Sequence, residues 1–475
     1  MKNQKKVLSL LLVLVLCVCS LAGCSGNGEA KKKSSADSDD VVIDVWSTEA
    51  GAQSVWEELV SEWNATEGDE KNIFINWKTT TDSTTIDVAE QNGSLPHIFN
   101  VSGNQLKQFI ARKSAISINE LPGGEEFLKE YGQDGIETKN LVDGKQYSVY
   151  MNVRTSGLAY NKDLFKKAGI VDENGEAKAP ATLSEVVEYA KKINDLGEGT
   201  YGFAFPLKFG ISYTVTSPLS SYYSEKDAQN SKEYLDLDKG TYDMSNYHEM
   251  FDWILQMKKD GSLFPGAETL DNDTARAYFA AGAVGMIPAI SWDVSVFNNQ
   301  FKAECDWDIC PYPAPDGREV YKQWCQRGGG MLIGRSAAEK NPEETMEVYK
   351  FIYSLNTRKV MFERGVNLSA KTDVLEVYDK DAVDPRFVKF AELVDETVRF
   401  AEHESVAVEG EDFKTLFQKV WMGDITLDKA IDDYSARYER GFKKAVAAGE
   451  YDVAREKRVR RYLQGEDGLD LSKTN

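Results

Sequence analysis

The sequence contains few of the residues from which metal centres and nucleophilic active sites are built. Only three of its 475 residues are histidines, and His97, His248 and His403 lie far apart, without the spacing of metal ligands. His403 is followed by Glu404, but the pair does not extend into the zinc-protease pattern, and no nucleophile elbow appears. We therefore predict no metal site, no cofactor and no enzymatic activity.

Basic residues are in short supply as well. The chain has 56 Lys and Arg against 77 Asp and Glu, which gives a formal net charge of −21. Proteins that bind nucleic acid contact its phosphates through clusters of Lys and Arg, so this composition argues against a nucleic-acid partner. Solubility is a sufficient explanation for the acidic surplus.

Long apolar runs are confined to the N-terminus. Val7–Val18 is apolar and follows the basic segment Lys2–Lys6, but it is shorter than a membrane-spanning helix. This pattern is typical of a secretory signal, which we predict over residues 1–23. Residues 24–40 are small, polar and charged, as expected for a flexible linker.

The end of the predicted signal, Leu21-Ala22-Gly23-Cys24, resembles the lipobox of bacterial lipoproteins. The resemblance implies cleavage before Cys24 and a lipid anchor on its sulfur. A plain signal-peptidase site beside an incidental cysteine is the alternative. Because two acyl chains suffice for stable anchoring, the expected location is the outer face of a bacterial membrane.

Few cysteines follow. Once the signal and Cys24 are set aside, Cys305, Cys310 and Cys325 remain. An odd number in an exported protein is compatible with one disulfide and one free thiol, or with three buried thiols. The sequence leaves both arrangements open.

The chain does contain many alternating strand and helix signals. Its length exceeds what one hydrophobic core usually serves, which predicts two lobes. The N-terminal pattern predicts a strand at 41–46, a helix at 53–64, a strand at 73–77, a helix at 82–91 and a strand at 93–102. This alternation indicates an α/β sheet, in which ligands bind beyond the carboxyl ends of the strands.

The same alternation continues in the second half. Thr182 and Glu185 form a predicted capping box at the start of a helix. Residues 211–247 carry little pattern and are interpreted as an insertion that borders the cleft. Residues 199–210 are predicted to form a strand and the loop that follows it, and a further strand is predicted at 283–290. Further helices are predicted at 248–260, 274–281, 411–422 and 427–447.

One stretch, DGKQYSVYMNVRTSGLAYNKDLF at 143–165, closely resembles a segment of family 1 extracellular solute-binding proteins, the receptors of sugar-importing ABC transporters. Gly328–Gly330 and RGVNLSAK at 364–371 are similar to two later segments of that family. In the family, all three segments cross between two lobes. The run ARAYFAAGAVGM followed by SWD is similar to a fourth family segment.

The resemblance implies an α/β, two-lobed periplasmic-binding-protein fold of type II, the Venus-flytrap architecture. Each lobe is then discontinuous in sequence, with residues 41–151 and 328–370 in the first and residues 152–327 and 371–475 in the second. The crossings between them act as hinges.

The implied function is the capture of a mono- or oligosaccharide outside the cell and its delivery to the permease subunits of an ABC importer. Closure of the hinge around the ligand is the implied mechanism, and a monomer is expected. The same binding role for a polyamine or an organic anion is one alternative. A surface enzyme that acts on glycans is another, and it requires two carboxylates facing a cleft.

Sugar sites combine flat aromatic faces with short polar side chains that satisfy hydroxyl groups. Trp292 follows a predicted strand and resembles the family's sugar-stacking tryptophan, although it could instead pack under its own helix start. Arg154 lies on the first crossing, where the family places a polar ligand contact, and a lobe–lobe ion pair is its structural alternative. The other predicted ligand contacts are Asp293, Trp46, Ser47, Thr48, Glu49, Asn100, Ser102, Asn104, Lys208, Tyr213, Gly328, Gly329, Asp412 and Phe413.

Several of these residues also have ordinary structural explanations. Core packing is preferred for Trp46, which leaves Ser47, Thr48 and Glu49 as the residues exposed to ligand. Loop capping explains Asn100, Ser102 and Asn104 equally well. For the glycines, a hinge is preferred over a direct ligand contact.

Overall fold

A computed structural model describes residues 33, 35–80, 84–101, 103–132, 140–197, 199–223, 235–318, 323–394, 397–398 and 406–457. The predicted signal peptide, Cys24, Ser102, His403 and most of the predicted linker lie outside these residues. For Asn104 and Tyr213 the structure describes the backbone alone. None of the described helices combines the length and the apolar character that crossing a membrane requires.

The longest strands have seven residues, two of them in one sheet and one in another, and most of the other strands are short. In chain order they are β1 (Val41–Ser47), β2 (Ile73–Thr79), β3 (Ile98–Phe99), β4 (Ala115–Ile116), β5 (Leu141–Val142), β6 (Lys145–Gln146), β7 (Asn152–Arg154), β8 (Ser156–Asn161), β9 (Tyr201–Phe203), β10 (Leu235–Asp236), β11 (Thr241–Tyr242), β12 (Val284–Ile290), β13 (Trp307–Pro311), β14 (Gln323–Trp324), β15 (Gln326–Gly328), β16 (Leu332–Gly334), β17 (Leu368–Ser369) and β18 (Thr397–Val398).

Helices connect most of these strands, and short 3-10 and π-helical turns supplement them. The α-helices are α1 (Gln53–Asn64), α2 (Glu67–Lys71), α3 (Thr84–Gln91), α4 (Gly103–Ala111), α5 (Gly124–Tyr131), α6 (Lys162–Lys167), α7 (Leu183–Asn194), α8 (Ser217–Tyr223), α9 (Tyr247–Asp260), α10 (Asn272–Ala280), α11 (Asp293–Ser295), α12 (Arg335–Ala338), α13 (Pro342–Ile352), α14 (Leu355–Glu363), α15 (Pro385–Glu392), α16 (Phe413–Met422) and α17 (Leu427–Ala448).

Two separate sheets organise the chain. The first has the strand order β2-β1-β3-β16-β4, in which β1 runs parallel to β2 and β3 while β16 runs antiparallel to β3 and β4. The second has the order β13-β8-β12-β9, in which β12 runs parallel to β9 and antiparallel to β8. Because β16 comes from late in the chain, the first sheet is discontinuous in sequence.

A small third sheet, which we call the hinge sheet, joins the two. It consists of β7 flanked by β15 and β17, both antiparallel to β7. These three strands come from the three segments that the sequence resemblance identifies as lobe crossings. These three segments therefore lie side by side in one sheet. A backbone rotation in one of them would change the geometry of the other two, because they share its hydrogen bonds.

Each large sheet has its own apolar core. The first is packed by α1, whose Trp56, Val60 and Trp63 are all at most 5% exposed, as the helical stripe in the sequence predicts. The second is packed by helices on both faces, with Phe203 and Phe251 in one cluster and Phe279 in another. Separate cores allow the two bodies to move relative to each other.

One predicted strand is much shorter in the structure, and a second is followed by its predicted loop. Only β3 forms within 93–102, because Gly93 adopts a positive φ of 66° in a turn and Pro96 has no backbone N–H to donate. Within 199–210 the strand ends at Phe203, and Leu207 N donates to Phe205 O at 2.9 Å in a turn that follows. Glycine and proline therefore shorten the first of these strands, and both strands are followed by loops at their carboxyl ends.

The last residues of the predicted linker contact the first sheet's helices. The Lys33 ammonium lies 2.8–2.9 Å from carboxylates of Asp37, Asp40 and Asp69, the last of which belongs to α2. These contacts raise the pKa of Lys33 and lower that of Asp40. The linker thus approaches the folded part at α2.

His97 is expected to make stability dependent on pH. It is buried, its Nδ1 accepts a hydrogen bond from Asp44 N at 3.1 Å, and desolvation lowers its pKa, although Asn341, Asp44 and Glu344 oppose that shift. The folded state therefore binds fewer protons than the unfolded state as pH falls below about 6.5, and stability should be lost by up to about 1.4 kcal/mol per pH unit. Urea unfolding between about pH 7.5 and about pH 5.5 measures this.

His97→Asn is the test variant, because its amide oxygen can accept from Asp44 N but does not titrate. It should show a shallower pH slope than the parent. His248→Asn is the control, since His248 lies on the surface beside Asp428. An equal slope in the parent and in His97→Asn would contradict the assignment.

Candidate functional site

The loops that follow β1 and β3 are tied together at the edge of the first sheet. Asn100 is buried, and its Oδ1 accepts hydrogen bonds from Thr48 N at 2.7 Å and from Thr48 Oγ1 at 3.1 Å. Ser47 is fully buried, and its Oγ accepts from Glu49 N at 3.1 Å. The prediction that Ser47 is exposed to ligand is therefore wrong, and Asn100 fits its loop-capping alternative. Glu49 and Thr48 are half-buried at this edge.

Trp46 packs rather than faces outward. Its ring is half-buried against the cluster that contains Phe99 and Phe109. The Lys78 ammonium covers the ring at 4.3 Å from its centre. This matches the preference for core packing over ligand contact at Trp46.

Trp292 lies at the corresponding edge of the second sheet. It follows the carboxyl end of β12 after one intervening residue, and β9, which is parallel to β12, ends at the same edge. The ring is half-buried and belongs to none of the apolar clusters formed by the described residues. Trp292 therefore has ring surface outside the core.

Asp293 is placed differently from its neighbour. Its carboxylate is 2% exposed, ion-pairs with Arg276 and accepts a hydrogen bond from Ile290 N at 2.8 Å. Burial raises its pKa, and the Arg276 guanidinium acts in the opposite direction. Both carboxylate oxygens are thus engaged inside the fold, which argues against the predicted ligand contact at Asp293.

Each of the remaining candidates, Lys208, Asp412 and Phe413, has a local structural partner. Phe413 is buried and packs edge-on against Tyr247, with ring centres 4.9 Å apart. It is the first core residue of α16, which argues against its predicted ligand contact. Asp412 is exposed and caps the same helix by accepting from Thr415 N at 2.8 Å, which lowers its pKa. Lys208 is exposed and lies 3.5 Å from the Asp271 carboxylate.

The hinge sheet brings both edges together through Arg154. The guanidinium carbon of Arg154 lies 4.5 Å from the centre of the Trp292 ring. On the other side, the same cation interacts electrostatically with the Glu49 carboxylate. Desolvation raises the pKa of Glu49 and lowers that of Arg154, and each charge opposes the shift of the other.

Two asparagines that the sequence analysis did not single out complete the group. Asn152 Nδ2 lies 3.4 Å from Glu49 Oε1, and the Asn367 amide acts on the same carboxylate. Asn152 lies two residues before Arg154 on β7, so the alternation of a strand places both on one face. The two-residue alternation of a strand could therefore have identified Asn152 from the sequence. Nothing in the local sequence identifies Asn367.

We call Glu49, Asn152, Arg154, Trp292 and Asn367 the cleft group. It offers a flat aromatic face, one cation, one carboxylate and two amides within a short span. Such a set can stack against a ring and exchange hydrogen bonds with hydroxyl groups.

No metal-binding group is present among the residues that the structure describes, since no three His, Cys, Asp or Glu side chains come together. Cys305, Cys310 and Cys325 are all free thiols. Burial raises the pKa of Cys310 to about 12 and that of Cys305 to about 11. The Cys305 and Cys310 thiols are therefore protonated and poorly reactive at neutral pH.

Gly329 is expected to be irreplaceable at the hinge. Its φ is +73°, and a Cβ there would lie 2.6 Å from Asn152 Nδ2. Gly329→Ala should therefore lower the free energy of unfolding by about 1–3 kcal/mol and displace the amide beside Glu49. Urea unfolding checks the value.

Gly328→Ala is the matched control for that variant. A Cβ at Gly328 would meet Asn152 Oδ1 at 3.6 Å, an ordinary contact, and no positive φ is required. If both variants lost the same free energy of unfolding, neither the positive φ of Gly329 nor its close approach to Asn152 could be the cause.

Curated relatives match part of the chain. The sn-glycerol-3-phosphate-binding periplasmic protein UgpB of Brucella abortus is 32% identical over 167 residues, which are 35% of this chain and 36% of UgpB. UgpB of Agrobacterium fabrum is 29% identical over the same length. The chain thus spans about a third of the length of these relatives.

Solved structures match most of the chain. The apo-form of RafE from Streptococcus pneumoniae is 17% identical and superposes with a TM-score of 0.65 over 86% of this chain and 100% of RafE. The sugar-binding protein MalE from Xanthomonas citri is 17% identical, with a TM-score of 0.64 over 87% of this chain and 100% of MalE. These likenesses confirm the predicted two-lobed periplasmic-binding-protein fold.

The family comparison covers both sides of the hinge. The matched region begins at the end of β1, includes β7, Trp292 and the glycines at 328–330, and ends at the start of α14. The family model for bacterial extracellular solute-binding proteins matches residues 46–355, more than half of the chain, and the chain therefore belongs to that family.

Proposed function

We propose that the protein captures a carbohydrate in the cleft between its two lobes and delivers it to the permease of an ABC importer. The observation that carries the proposal is the position of Trp292. Its ring lies outside the apolar cores, at the carboxyl edge of the second sheet and beside the hinge strand β7. A flat aromatic face in such a place suits the apolar side of a pyranose ring.

Polar residues of the cleft group support the same ligand class. The carboxylate of Glu49 accepts hydrogen bonds from hydroxyl groups, and the amides of Asn152 and Asn367 both donate and accept. Because these groups are half-buried or buried, a ligand that left them unpaired would be rejected. Neutral polyols match this mixture of donors and acceptors better than a singly charged solute does.

Hinge closure supplies the mechanism. We assign residues 41–151 with 328–370 to the first lobe and residues 152–327 with 371–475 to the second, so that Glu49 and Trp292 lie on opposite lobes. A ligand that contacts both only when the lobes are close binds the closed state more tightly. It therefore shifts the open–closed equilibrium by that difference in affinity.

Structural neighbours add support of a general kind. RafE has been solved in complex with raffinose, and the GacH receptor of Streptomyces glaucescens in complex with acarbose. Both superpose on this chain with 17–18% identity, so they support the fold on which such sites occur.

A phosphorylated polyol is the second candidate. UgpB is named for sn-glycerol 3-phosphate, and Arg154 provides a cation in the cleft. Glu49 disfavours an anionic ligand, since its negative charge interacts with the same Arg154 cation that such a ligand would need. A polyamine is disfavoured in turn by Arg154 itself.

A glycan-cleaving enzyme fits the cleft less well. Such an enzyme needs an acid and a second carboxylate on either side of the bond that it cleaves. Glu49 is one carboxylate, but Asp293, the predicted candidate nearest Trp292, is held by Arg276 and Ile290 N.

The test is a binding screen of the purified protein. Thermal shift and calorimetry should be run with mono- and oligosaccharides, sn-glycerol 3-phosphate, spermidine and small organic anions. A true ligand at a hundredfold excess over its dissociation constant stabilises the folded state by about 2.7 kcal/mol. Stabilisation by sugars alone supports the proposal, whereas stabilisation by the phosphate ester alone overturns the ligand class.

We further propose that the protein is a monomeric lipoprotein anchored through Cys24 on the outer face of the membrane, after removal of residues 1–23. Cys24→Ser should prevent incorporation of a labelled fatty acid and release the protein from the membrane fraction. Retention of label in that variant would exclude this anchor.

A further inference from the structure

One side chain of the hinge sheet interacts with both lobes. Arg154 is the last residue of β7, and its guanidinium carbon lies 4.5 Å from the centre of the Trp292 ring. Its charge also acts on Glu49, in the loop that follows β1. A single cation therefore stands between the aromatic face of the second lobe and a carboxylate of the first.

The contact with Trp292 has a direct consequence for ligand binding. A cation–π contact and the stacking of a pyranose both use the face of an aromatic ring. A ring face that carries a guanidinium cannot carry a sugar at the same time. A sugar that stacks on this face has to displace Arg154.

Glu49 is a suitable destination for the displaced cation. Its carboxylate is half-buried, and Asn152 Nδ2 lies 3.4 Å from it, which is long for a hydrogen bond. The Asn367 amide also acts on this carboxylate, but its buried Nδ2 makes no hydrogen bond in the described part of the chain. A desolvated carboxylate with weak donors gains much from a guanidinium, which can bind both oxygens.

We propose that Arg154 is an exchangeable cover of the Trp292 ring, which a bound sugar displaces onto Glu49. The transfer to Glu49 rests on the proposed carbohydrate function. It replaces a contact within the assigned second lobe, between Arg154 and Trp292, with an ion pair to Glu49 of the first lobe. Occupation of the ring is thereby coupled to the hinge, and solutes that cannot replace the cation–π contact are rejected.

The contact by which Arg154 covers the Trp292 ring can be tested without any ligand. Arg154→Met keeps an unbranched apolar stem but shortens the side chain and removes the guanidinium, so acrylamide should quench tryptophan fluorescence more strongly in this variant than in the parent. The increase should vanish when Trp292→Phe is added. Lys78→Met is the matched control, because it removes a cation from Trp46 and its effect should persist in the Trp292→Phe background. No increase in Arg154→Met overturns the cover.

The transfer is tested by calorimetry with a sugar that the binding screen identifies. Glu49→Gln should weaken binding about tenfold in the parent, but by less than about twofold in Arg154→Met, because the partner of Glu49 is then absent. Equal losses in both backgrounds mean that Glu49 contacts the sugar itself, and they overturn the transfer. If no sugar binds at all, the proposed function fails and the transfer with it, while the quenching result still decides the cover.

Discussion

In Trp292→Ala, we expect the dissociation constant for the carbohydrate ligand to rise by about thirtyfold or more, which corresponds to about 2 kcal/mol. The indole ring lies at the carboxyl edge of the second sheet, outside the apolar cores, where it can cover one face of a pyranose. Alanine removes that face and leaves the polar residues of the cleft group in place. Calorimetric titration of the parent and the variant with the same sugar measures the change.

Two further variants separate stacking from general damage. Trp292→Phe keeps a flat ring and should retain most of the affinity. Tyr278→Ala removes an aromatic ring that is 43% exposed at the opposite end of β12, where Ala283 N donates to Tyr278 O at 3.0 Å, and it should bind like the parent. Unchanged affinity in Trp292→Ala, with the fold intact by circular dichroism, would remove Trp292 from the site.

Much of the fold could be predicted from the sequence because its patterns are local. The stripe of Trp56, Val60 and Trp63 predicts a helix with the bounds that α1 has in the structure. The continuous apolar run at 283–290 likewise predicts β12, which is buried along its whole length. Periodicity and capping depend on residues within one element, so a single sequence is sufficient to recognise them.

Prediction of the hinge sheet required the family resemblance as well as the local hydrophobic pattern. β15 and β17 contain three and two residues, too few for any period to identify them. Their strand character comes from pairing with β7, which lies about 170 residues earlier in the chain than β15 and about 210 earlier than β17. Such pairing is decided by tertiary structure, and the local sequence does not encode it.

The candidate site was the least predictable part because burial and partners decide it. Ser47 and Asp293 are polar and lie at strand ends, where ligand contacts are expected, but both are buried and hydrogen-bonded within the fold. Asn367 contributes through proximity to Glu49, a residue more than three hundred positions earlier. A strand-end position therefore predicts which loop lines a cleft, but it does not predict which side chain of that loop faces the ligand.

Asp293 is expected to matter for stability rather than for binding, and Asp293→Ala should lower the free energy of unfolding by about 3–5 kcal/mol. The variant leaves the buried Arg276 guanidinium without its buried partner and removes the acceptor for Ile290 N. Losing one member of a buried ion pair costs more than the pair contributes, since the remaining charge is still desolvated. Urea unfolding followed by circular dichroism gives the value.

Asp273→Ala is the matched control, because Asp273 pairs with the same guanidinium at 3.0 Å but its side chain is 62% exposed. Exposed ion pairs contribute at most about 1 kcal/mol, so the two variants should differ by several-fold in their cost. We also expect Asp293→Ala to bind sugar under conditions in which it is still folded. Any loss of affinity should come only from a displacement of the neighbouring Trp292. A small loss of stability together with a large loss of affinity would reverse this assignment and make Asp293 a ligand contact.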